Sequence, residues 1–234
     1  MKRFWDQAQV AEAEGRFAIL LDGKPLRLPG GGPLRLPALA LAEAVAAEWQ
    51  AAGGAKGGEM RPEEVPLTRL AGTAEDRIAP AREATIAVIA RYGETELLCY
   101  RAEAARLAAW QAEAWDPWLA WAARHLETPL RVTTRVMPVA QPPEALAALR
   151  RAVATHSTMG LAALGVAVPA LGSLVLGLAV VRGAVSAEEA HRLASLEEAF
   201  QEEFWGIDPE TLRRRTAAMA DVALAARLVA LVAA

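Results

Sequence analysis

The stretch GLAALGVAVPALGSLVLGLAVV, residues 160–181, contains no ionisable side chain. About 20 apolar residues suffice for a transmembrane helix, so its length alone would allow a membrane span. Pro169 lies in the middle of the stretch, and proline removes a backbone hydrogen bond inside a helix. We therefore expect two helical pieces of about a dozen residues or fewer, each too short for ~30 Å of hydrocarbon. The stretch is predicted to be a buried helical pair.

No other segment of the sequence reads as a membrane span, so stable membrane insertion is not expected. A membrane-associated scaffold that uses residues 160–181 is the alternative that Pro169 disfavours. The N-terminal segment MKRFWDQAQV has no apolar run and no cleavage site of the kind that secretory signals carry. These features together predict a cytosolic, reducing compartment.

Composition excludes several classes of protein. The 234-residue chain has a net charge of −3, which gives no electrostatic reason to expect nucleic acid as a partner. Cys99 is the only cysteine, so neither an internal disulfide nor a cysteine-based metal site is possible. The chain is long enough to bury a substantial hydrophobic core.

The first third of the chain has the pattern of a small antiparallel sheet. In RFAILLDGKPLRLP, Asp22 and Gly23 separate two apolar runs, which is a strong hairpin signal. The five residues PLRLP at 25–29 recur at 33–37 and predict a third strand. From Ala38 the apolar spacing becomes helical, and it is mostly helical again after Leu67.

This order of elements predicts an α+β fold with two domains. Residues 1–75 form a β-rich domain with one helix, and residues 76–234 form a helical domain. Within the helical domain, Asp116 and Pro117 are expected to restart or kink a helix. The proline-bounded segment 129–143 is expected to be extended.

Motifs for catalysis are absent from the sequence. The three histidines, His125, His156 and His191, lie far apart and in no zinc-ligand spacing. The glycine clusters match neither of the common phosphate-binding patterns. We therefore predict no catalytic, cofactor-binding or metal-binding residues and no enzymatic activity.

Residues 186–206 suggest a partner-binding face. Between Glu188 and Glu210 the chain has eight acidic residues against one arginine, Arg192. Drawn as one continuous helix, the segment has an apolar stripe of Leu193, Leu196, Phe200 and Phe204. The opposite side carries Glu198, Glu202 and Trp205, near His191. A solvated charged face is one interpretation; the aromatic side chain favours an interface.

Eight segments of the sequence together carry a family resemblance. Its carriers, in order, are KRFW at 2–5, LDGKPLRLP at 21–29, AEAVAAEW ending at Trp49, PLTRLAGTAEDR at 66–77, ELLCYRA at 96–102, QAEAWDPWLAWA at 111–122, GSLVLGLAV at 172–180 and SLEEAFQEEFWGID at 195–208. Over nearly its whole length the chain resembles the assembly chaperones that escort the alpha subunit of F-type ATP synthase. The match is weak over residues 129–158.

The resemblance implies a small N-terminal β-rich domain and a C-terminal orthogonal helical bundle. It implies a non-enzymatic chaperone for assembly of the catalytic head, which binds the unassembled alpha subunit until the beta subunit displaces it. Relatives act in the mitochondrial matrix, and a bacterial member is expected in the cytoplasm. The important acidic position of the family falls on Glu198, with Glu197 as the runner-up.

The predicted partner-binding residues are therefore Glu198, Glu202, Trp205 and Glu197. The competing function is a small-molecule-binding helical protein, or an enzyme of unknown reaction, that uses the Trp-rich helical region as an apolar pocket. No cofactor is implied by either the residues or the resemblance.

Overall fold

A computed structural model describes residues 1–135, 137 and 139–234, with only the backbone of Ala13. The strands are β1 (Ala8–Ala13), β2 (Arg16–Leu21), β3 (Lys24–Pro25) and β4 (Arg35–Leu36). The helices are α1 (Leu39–Ala51), α2 (Pro66–Thr73), α3 (Arg82–Ala90), α4 (Ala105–His125), α5 (Pro143–Ala154), α6 (Thr158–Leu171), α7 (Leu174–Val181), α8 (Ala187–Ala194), α9 (Leu196–Trp205) and α10 (Pro209–Ala233). A small N-terminal sheet followed mostly by helices confirms the predicted α+β class.

The sheet is antiparallel and is built around β2. Strands β1 and β3 flank β2, and β4 also pairs with it through Phe17 and Leu36. Asp22 and Gly23 make the predicted turn, with φ of 47° and 77°. The repeated PLRLP supplies β4, as expected. The sequence reading missed β1 and its turn at Glu14 and Gly15, although a Gly-containing pair between alternating residues is a hairpin signal.

Contacts divide the described chain into two compact units. The first unit comprises Met1–Arg82, Thr158–Ala163 and Arg227–Ala234, and the second comprises Glu83–Ser157 and Leu164–Ala226. The division of the chain at residues 75 and 76 stays a prediction.

A buried arginine organises the first unit. Arg3 is almost fully buried, and its guanidinium donates at 2.7–3.2 Å to five backbone carbonyls. The acceptors are those of Trp5, Asp6, Gln50, Ala52 and Gly54. Nη1 has two N–H groups and donates to three of these carbonyls, so one N–H is shared, and the carbonyls replace lost water without a carboxylate partner.

Residues of the family segments AEAVAAEW and PLTRLAGTAEDR form hydrogen bonds between α1 and α2. Glu48 of α1 accepts hydrogen bonds from the N–H groups of Leu67 and Thr68, at 2.8 and 3.1 Å. These N–H groups lie in the first turn of α2, where no intrahelical acceptor exists. The indole of Trp49 donates to the Thr68 hydroxyl at 2.9 Å, and that of Trp5 donates to the Trp49 carbonyl at 3.0 Å. In this unit, residues of the family segments therefore form hydrogen bonds with one another.

The apolar stretch 160–181 does form a buried helical pair, but its break is not at Pro169. Helix α6 continues through Pro169 to Leu171, and Gly172 then takes a left-handed conformation with φ of 62°. A proline in the last turn of a helix costs one backbone hydrogen bond, and a left-handed glycine is a common way for a helix to end. The two helices have 14 and 8 residues, so neither spans ~30 Å at ~1.5 Å per residue.

Close contact between these two helices requires a glycine. A Cβ placed on Gly177 would lie 2.5 Å from Cγ2 of Val168, which is far inside normal contact distance. Val168 and the residues around Gly177 are buried. Gly177 therefore allows α7 to pack closely against Val168 of α6 within the second unit.

Helix α7 begins against a buried carboxylate. Glu96 is fully buried, and its Oε2 accepts the N–H groups of Leu174 and Val175 at 2.8 and 3.1 Å. Its Oε1 accepts the hydroxyl of Ser173, which in turn caps the N–H of Leu176 at 3.0 Å. Burial raises the pKa of Glu96 to about 7, while these donors and the N–H of Leu98 act to lower it.

Local structure was also predicted at Pro117 and in the segment 129–143. Helix α4 runs unbroken through Pro117, so the predicted restart there is wrong. Thr133 pairs with Tyr100 as an isolated parallel bridge, in the segment expected to be extended. Val136 and Pro138 of that segment lie outside the described residues.

Helix α10 corrects the expectation that no second candidate span exists. Among the described helices it is the one long and apolar enough to cross a membrane by length and composition, and 17% of its apolar window is buried. It carries Asp221 and Arg227 within its length. One such helix is weak evidence, because long apolar helices also occur in soluble proteins.

We predict that Glu96→Gln destabilises the protein by about 2 kcal/mol or more. The amide NH2 of glutamine would replace an acceptor oxygen where every neighbour donates, leaving buried N–H groups unsatisfied. Denaturant unfolding at neutral pH measures the difference. Glu94→Gln, an exposed change two residues away, is the control and should stay within ~0.5 kcal/mol. Equal unfolding midpoints for the two variants would contradict a structural role for Glu96.

Candidate functional site

The segment proposed to bind a partner is two helices rather than one. Helix α8 ends at Ala194, Ser195 has φ −93° and ψ 13°, and α9 begins at Leu196. The prediction of one continuous helix over residues 186–206 is therefore wrong, and side-chain directions derived from it do not hold across the break at Ser195. Ser186 is the N-cap of α8, since its hydroxyl accepts the N–H of Glu189 at 3.1 Å.

Glu197 is part of a buried polar contact with α4. Its Oε1 accepts a hydrogen bond at 2.6 Å from the side-chain amide of Gln111, which is fully buried. The carbonyl oxygen of the same amide accepts the N–H of Ala102 at 2.7 Å. Glu197 therefore links α9 to α4 and to the segment before it, and this position supports the fold.

Glu198 and Glu202 face α10 and each meets an arginine. Glu198 accepts a hydrogen bond from Arg214 at 2.8 Å, and Glu202 accepts one from Arg215 at 2.5 Å. The second pair is the less accessible one, with side chains 20% and 24% exposed, against 34% and 67% for the first. The acidic face read from the sequence is thus partly neutralised by arginines that lie later in the chain.

The other side of α9 is attached to α4. Glu203 pairs with Arg106 at 2.6 Å, and the ring of Phe200 packs edge-on against Trp110 with centroids 6.0 Å apart. The guanidinium of Arg106 also lies over the rings of Phe200 and Phe204, at 5.2 and 5.9 Å from their centroids. Helix α9 is therefore fixed on both sides within the second unit.

Beyond these attachments the chain exposes a cluster of apolar side chains, which we call the apolar tip. Trp205 is 80% exposed and Phe204 is 59% exposed, so the prediction that Phe204 belongs to the buried stripe is wrong. Ile207, in the turn between α9 and α10, and Leu212, in the first turns of α10, are also exposed. These four residues, Phe204, Trp205, Ile207 and Leu212, make up the apolar tip.

Local sequence explains why these side chains are presented together. Gly206 has φ of 75° and ends α9, and Asp208 caps α10 by accepting the N–H of Thr211 at 2.7 Å. Pro209 occupies the first position of α10, where its missing N–H is not needed. The sequence analysis missed Ile207 and Leu212, because an apolar residue after a helix-ending glycine often packs back onto the helix and its exposure cannot be predicted locally.

The described residues offer little for catalysis or metal binding. No three His, Cys, Asp or Glu side chains in residues 1–135, 137 and 139–234 lie close enough together to hold a metal ion. Burial raises the pKa of the Cys99 thiol to about 12, so the thiolate nucleophile is scarcely populated at neutral pH. Burial, with the charge of Arg215, holds the pKa of His191 below its usual range.

Comparison with known proteins identifies the family. The model of the ATP12 chaperone protein family matches residues 2–123, which is more than half of the chain. The chain belongs to the ATP12 chaperone family. This confirms the resemblance carried by the eight sequence blocks, and it makes the protein a chaperone of ATP synthase assembly.

Solved structures agree with the ATP12 assignment over the whole chain. Atp12 from Paracoccus denitrificans is 44% identical, with a TM-score of 0.93 over 99% of this chain and 98% of that one. An Asp-to-Lys mutant of P. denitrificans Atp12p, also 44% identical, has a TM-score of 0.94 over 99% and 97%. A candidate chaperone from Agrobacterium tumefaciens is 38% identical, with a TM-score of 0.91 over 98% and 85%.

We predict that the ion pair of Glu198 with Arg214 positions α9. Glu198→Lys places two cations together, so partner capture should weaken at least tenfold. The cost to stability should be about 1 kcal/mol or less, because Arg214 is largely exposed and Glu198 is about one third exposed. The charge swap Glu198→Lys with Arg214→Glu restores an ion pair and should recover most of the capture. Binding by biolayer interferometry and thermal melts measure both properties.

Glu188→Lys, an exposed reversal in the first turn of α8, is the control for net charge and should bind normally. A swap variant that binds as poorly as Glu198→Lys would contradict a positioning role. In that case Glu198 would meet a cation on the partner directly.

Proposed function

We propose that this ATP12-family chaperone binds the unassembled alpha subunit of ATP synthase through the apolar tip. The observation that supports the proposal is an exposed cluster of four large apolar side chains on a helical connection fixed by three ion pairs. Exposed apolar clusters rimmed by polar residues are typical of protein interfaces. The polar rim here consists of Glu198, Glu202 and Glu203 with their arginines.

The tip suits a client that exposes its own apolar surface. An alpha subunit without its neighbours would leave an apolar subunit interface in water, where such surfaces promote aggregation. Trp205 can bury about 150–250 Å² in a contact, equivalent to roughly 4–6 kcal/mol of gross hydrophobic free energy at ~25 cal/mol per Å². Losses of translational and side-chain freedom offset much of this gain.

A contact of this size is compatible with release. The beta subunit forms a larger native interface with the alpha subunit and would displace the chaperone by mass action. We infer that no nucleotide hydrolysis and no other catalysis by the chaperone is needed, and that it acts in the bacterial cytoplasm.

The predicted site residues take different roles in this proposal. Trp205 contacts the client. Glu198 and Glu202 hold the tip through Arg214 and Arg215, and they also supply part of a negative field that favours encounter more than affinity. Glu197 acts inside the protein, on Gln111.

Trp205→Ala should weaken binding to the isolated alpha subunit about 30-fold or more, because loss of an interface tryptophan commonly costs at least ~2 kcal/mol. Its melting temperature should stay that of the parent, since the side chain is exposed. The same variant should fail to suppress aggregation of the alpha subunit at equimolar ratio, measured by light scattering. Unchanged protection would contradict the tip as the binding surface.

Val88→Ala removes an exposed apolar side chain from α3, away from the tip, and is the control. It should bind and protect like the parent. Protection of the alpha subunit at strongly substoichiometric chaperone, or only with ATP, would contradict capture by simple surface covering.

A further inference from the structure

A groove between α4 and α8 has a chemical character different from that of the apolar tip. It encloses about 310 Å³. This volume is at the lower end for ligand sites, and it is large enough for one long side chain. Its lining residues are Trp110, Glu113, Ala114, Pro117, Trp118, Glu189, Arg192 and Leu193.

Glu113 gives the groove an uncompensated negative charge. Among the described residues its carboxylate has no hydrogen-bond or ion-pair partner, whereas Glu189 is held by Arg192 through two hydrogen bonds of 2.7 and 2.6 Å. Two carboxylates against one guanidinium leave the lining net negative.

Pro117 adds a second acceptor at the same residue. Proline has no N–H, so the carbonyl of Glu113, four residues earlier in α4, lacks its usual intrahelical donor. A carboxylate, and a carbonyl that lacks its usual donor, on one residue favour a ligand with several N–H donors. Neither feature is needed to hold α4 to α8, because the indole of Trp115 already donates to the Leu193 carbonyl at 2.9 Å.

Aromatic rings complete the site. Trp110 and Trp118 both line the groove, one turn on either side of the region around Ala114. Tryptophan faces attract cations, and guanidinium groups also stack on them. Aromatic rings beside an unpartnered carboxylate are the chemistry that recognises a basic side chain.

A series of aromatic ring contacts connects the groove to the apolar tip. Trp110 packs on Phe200, Phe200 packs on Phe204 at 5.3 Å, and Phe204 packs on Trp205 at 6.5 Å between centroids. One row of aromatic side chains therefore leads from the groove to the tip. A client chain lying on the tip can reach the groove beside this row, passing the Arg106 guanidinium that lies over Phe200 and Phe204.

We propose that the groove between α4 and α8 binds an arginine or lysine side chain of the client, next to the segment that covers the apolar tip. The proposal rests on the proposed function for the identity of the client. Glu113 forms the ion pair, and Trp110 and Trp118 contact the alkyl stem and the charged group. The tip supplies apolar area, and the groove selects a client segment with a basic residue at the matching distance.

The groove can be tested without the client. N-acetyl-arginine amide is titrated to millimolar concentration into the full-length protein, and N-acetyl-citrulline amide serves as the neutral analogue of nearly the same shape. The indole N–H resonances of Trp110 and Trp118 are followed by NMR, after assignment with single Trp→Phe variants. We expect saturable shifts with the arginine compound and at least fivefold smaller shifts with the citrulline compound.

Glu113→Gln should abolish this difference, and Glu188→Gln, on the neighbouring helix outside the groove, should preserve it. Equal shifts with both compounds, or no shifts in the parent protein, would overturn the proposal. These outcomes do not depend on the alpha subunit, so they are distinct from a failure of the proposed function.

Binding of the isolated alpha subunit supplies the second arm. Glu113→Lys should weaken binding at least tenfold and Glu113→Gln about threefold, with Glu188→Lys within twofold of the parent. The melting temperatures of all variants should match, because Glu113 is exposed and has no internal partner among the described residues. Normal binding by Glu113→Lys, when Trp205→Ala is impaired, would remove the groove from the client contact and leave the tip in place.

Discussion

The buried carboxylate of Glu96 at the start of α7 is the contact on which the second unit depends. Ending α6 at Gly172 and restarting the chain as α7 exposes N–H groups in an apolar core, where no water can satisfy them. Glu96 and Ser173 accept these N–H groups. The apolar stretch can therefore turn back on itself inside the protein.

The same contact is connected, through successive helices, to the surface that we propose binds the client. Helix α7 packs against α4 and α8, and Trp115 of α4 is bonded to the carbonyl of Leu193 in α8. Gln111, one turn before Trp115, holds Glu197 of α9. Much of the family signature thus serves to bind its own blocks together, and the exposed residues at the end of α9 are what remains for a partner.

The sequence was sufficient for elements that are set by local chemistry. The turn at Asp22 and Gly23 is predicted from its residues. The cap at Ser186 and the start of α10 at Asp208 and Pro209 also follow the residue preferences of helix N-termini. The break predicted at Pro169 is wrong because α6 continues through the proline to Leu171 and ends only where Gly172 takes a left-handed conformation. The break at Ser195 has a local signal, since Glu198 follows three residues later as in a capping box, but the helical apolar spacing continues across it and predicts one helix.

The candidate site shows the same limit. The acidic residues and Trp205 were visible in the sequence, but Arg106, Arg214 and Arg215 come from α4 and α10, and only the fold brings them to α9. Under the proposed function, that pairing makes Glu198 and Glu202 supports of the apolar tip, where the sequence predicted direct contacts with the partner. The exposure of Phe204 is likewise tertiary, since helical spacing alone places it beside Phe200.

Amide hydrogen exchange of the chaperone, free and bound to the isolated alpha subunit, tests the central claim most directly. The account predicts that binding slows exchange in residues 202–212, which contain the end of α9, the turn and the start of α10. Exchange in α7, which is buried and begins at the Glu96 carboxylate, should be the same in the free and bound states. Unchanged exchange in residues 202–212, with slowing elsewhere in the chain, would contradict the account.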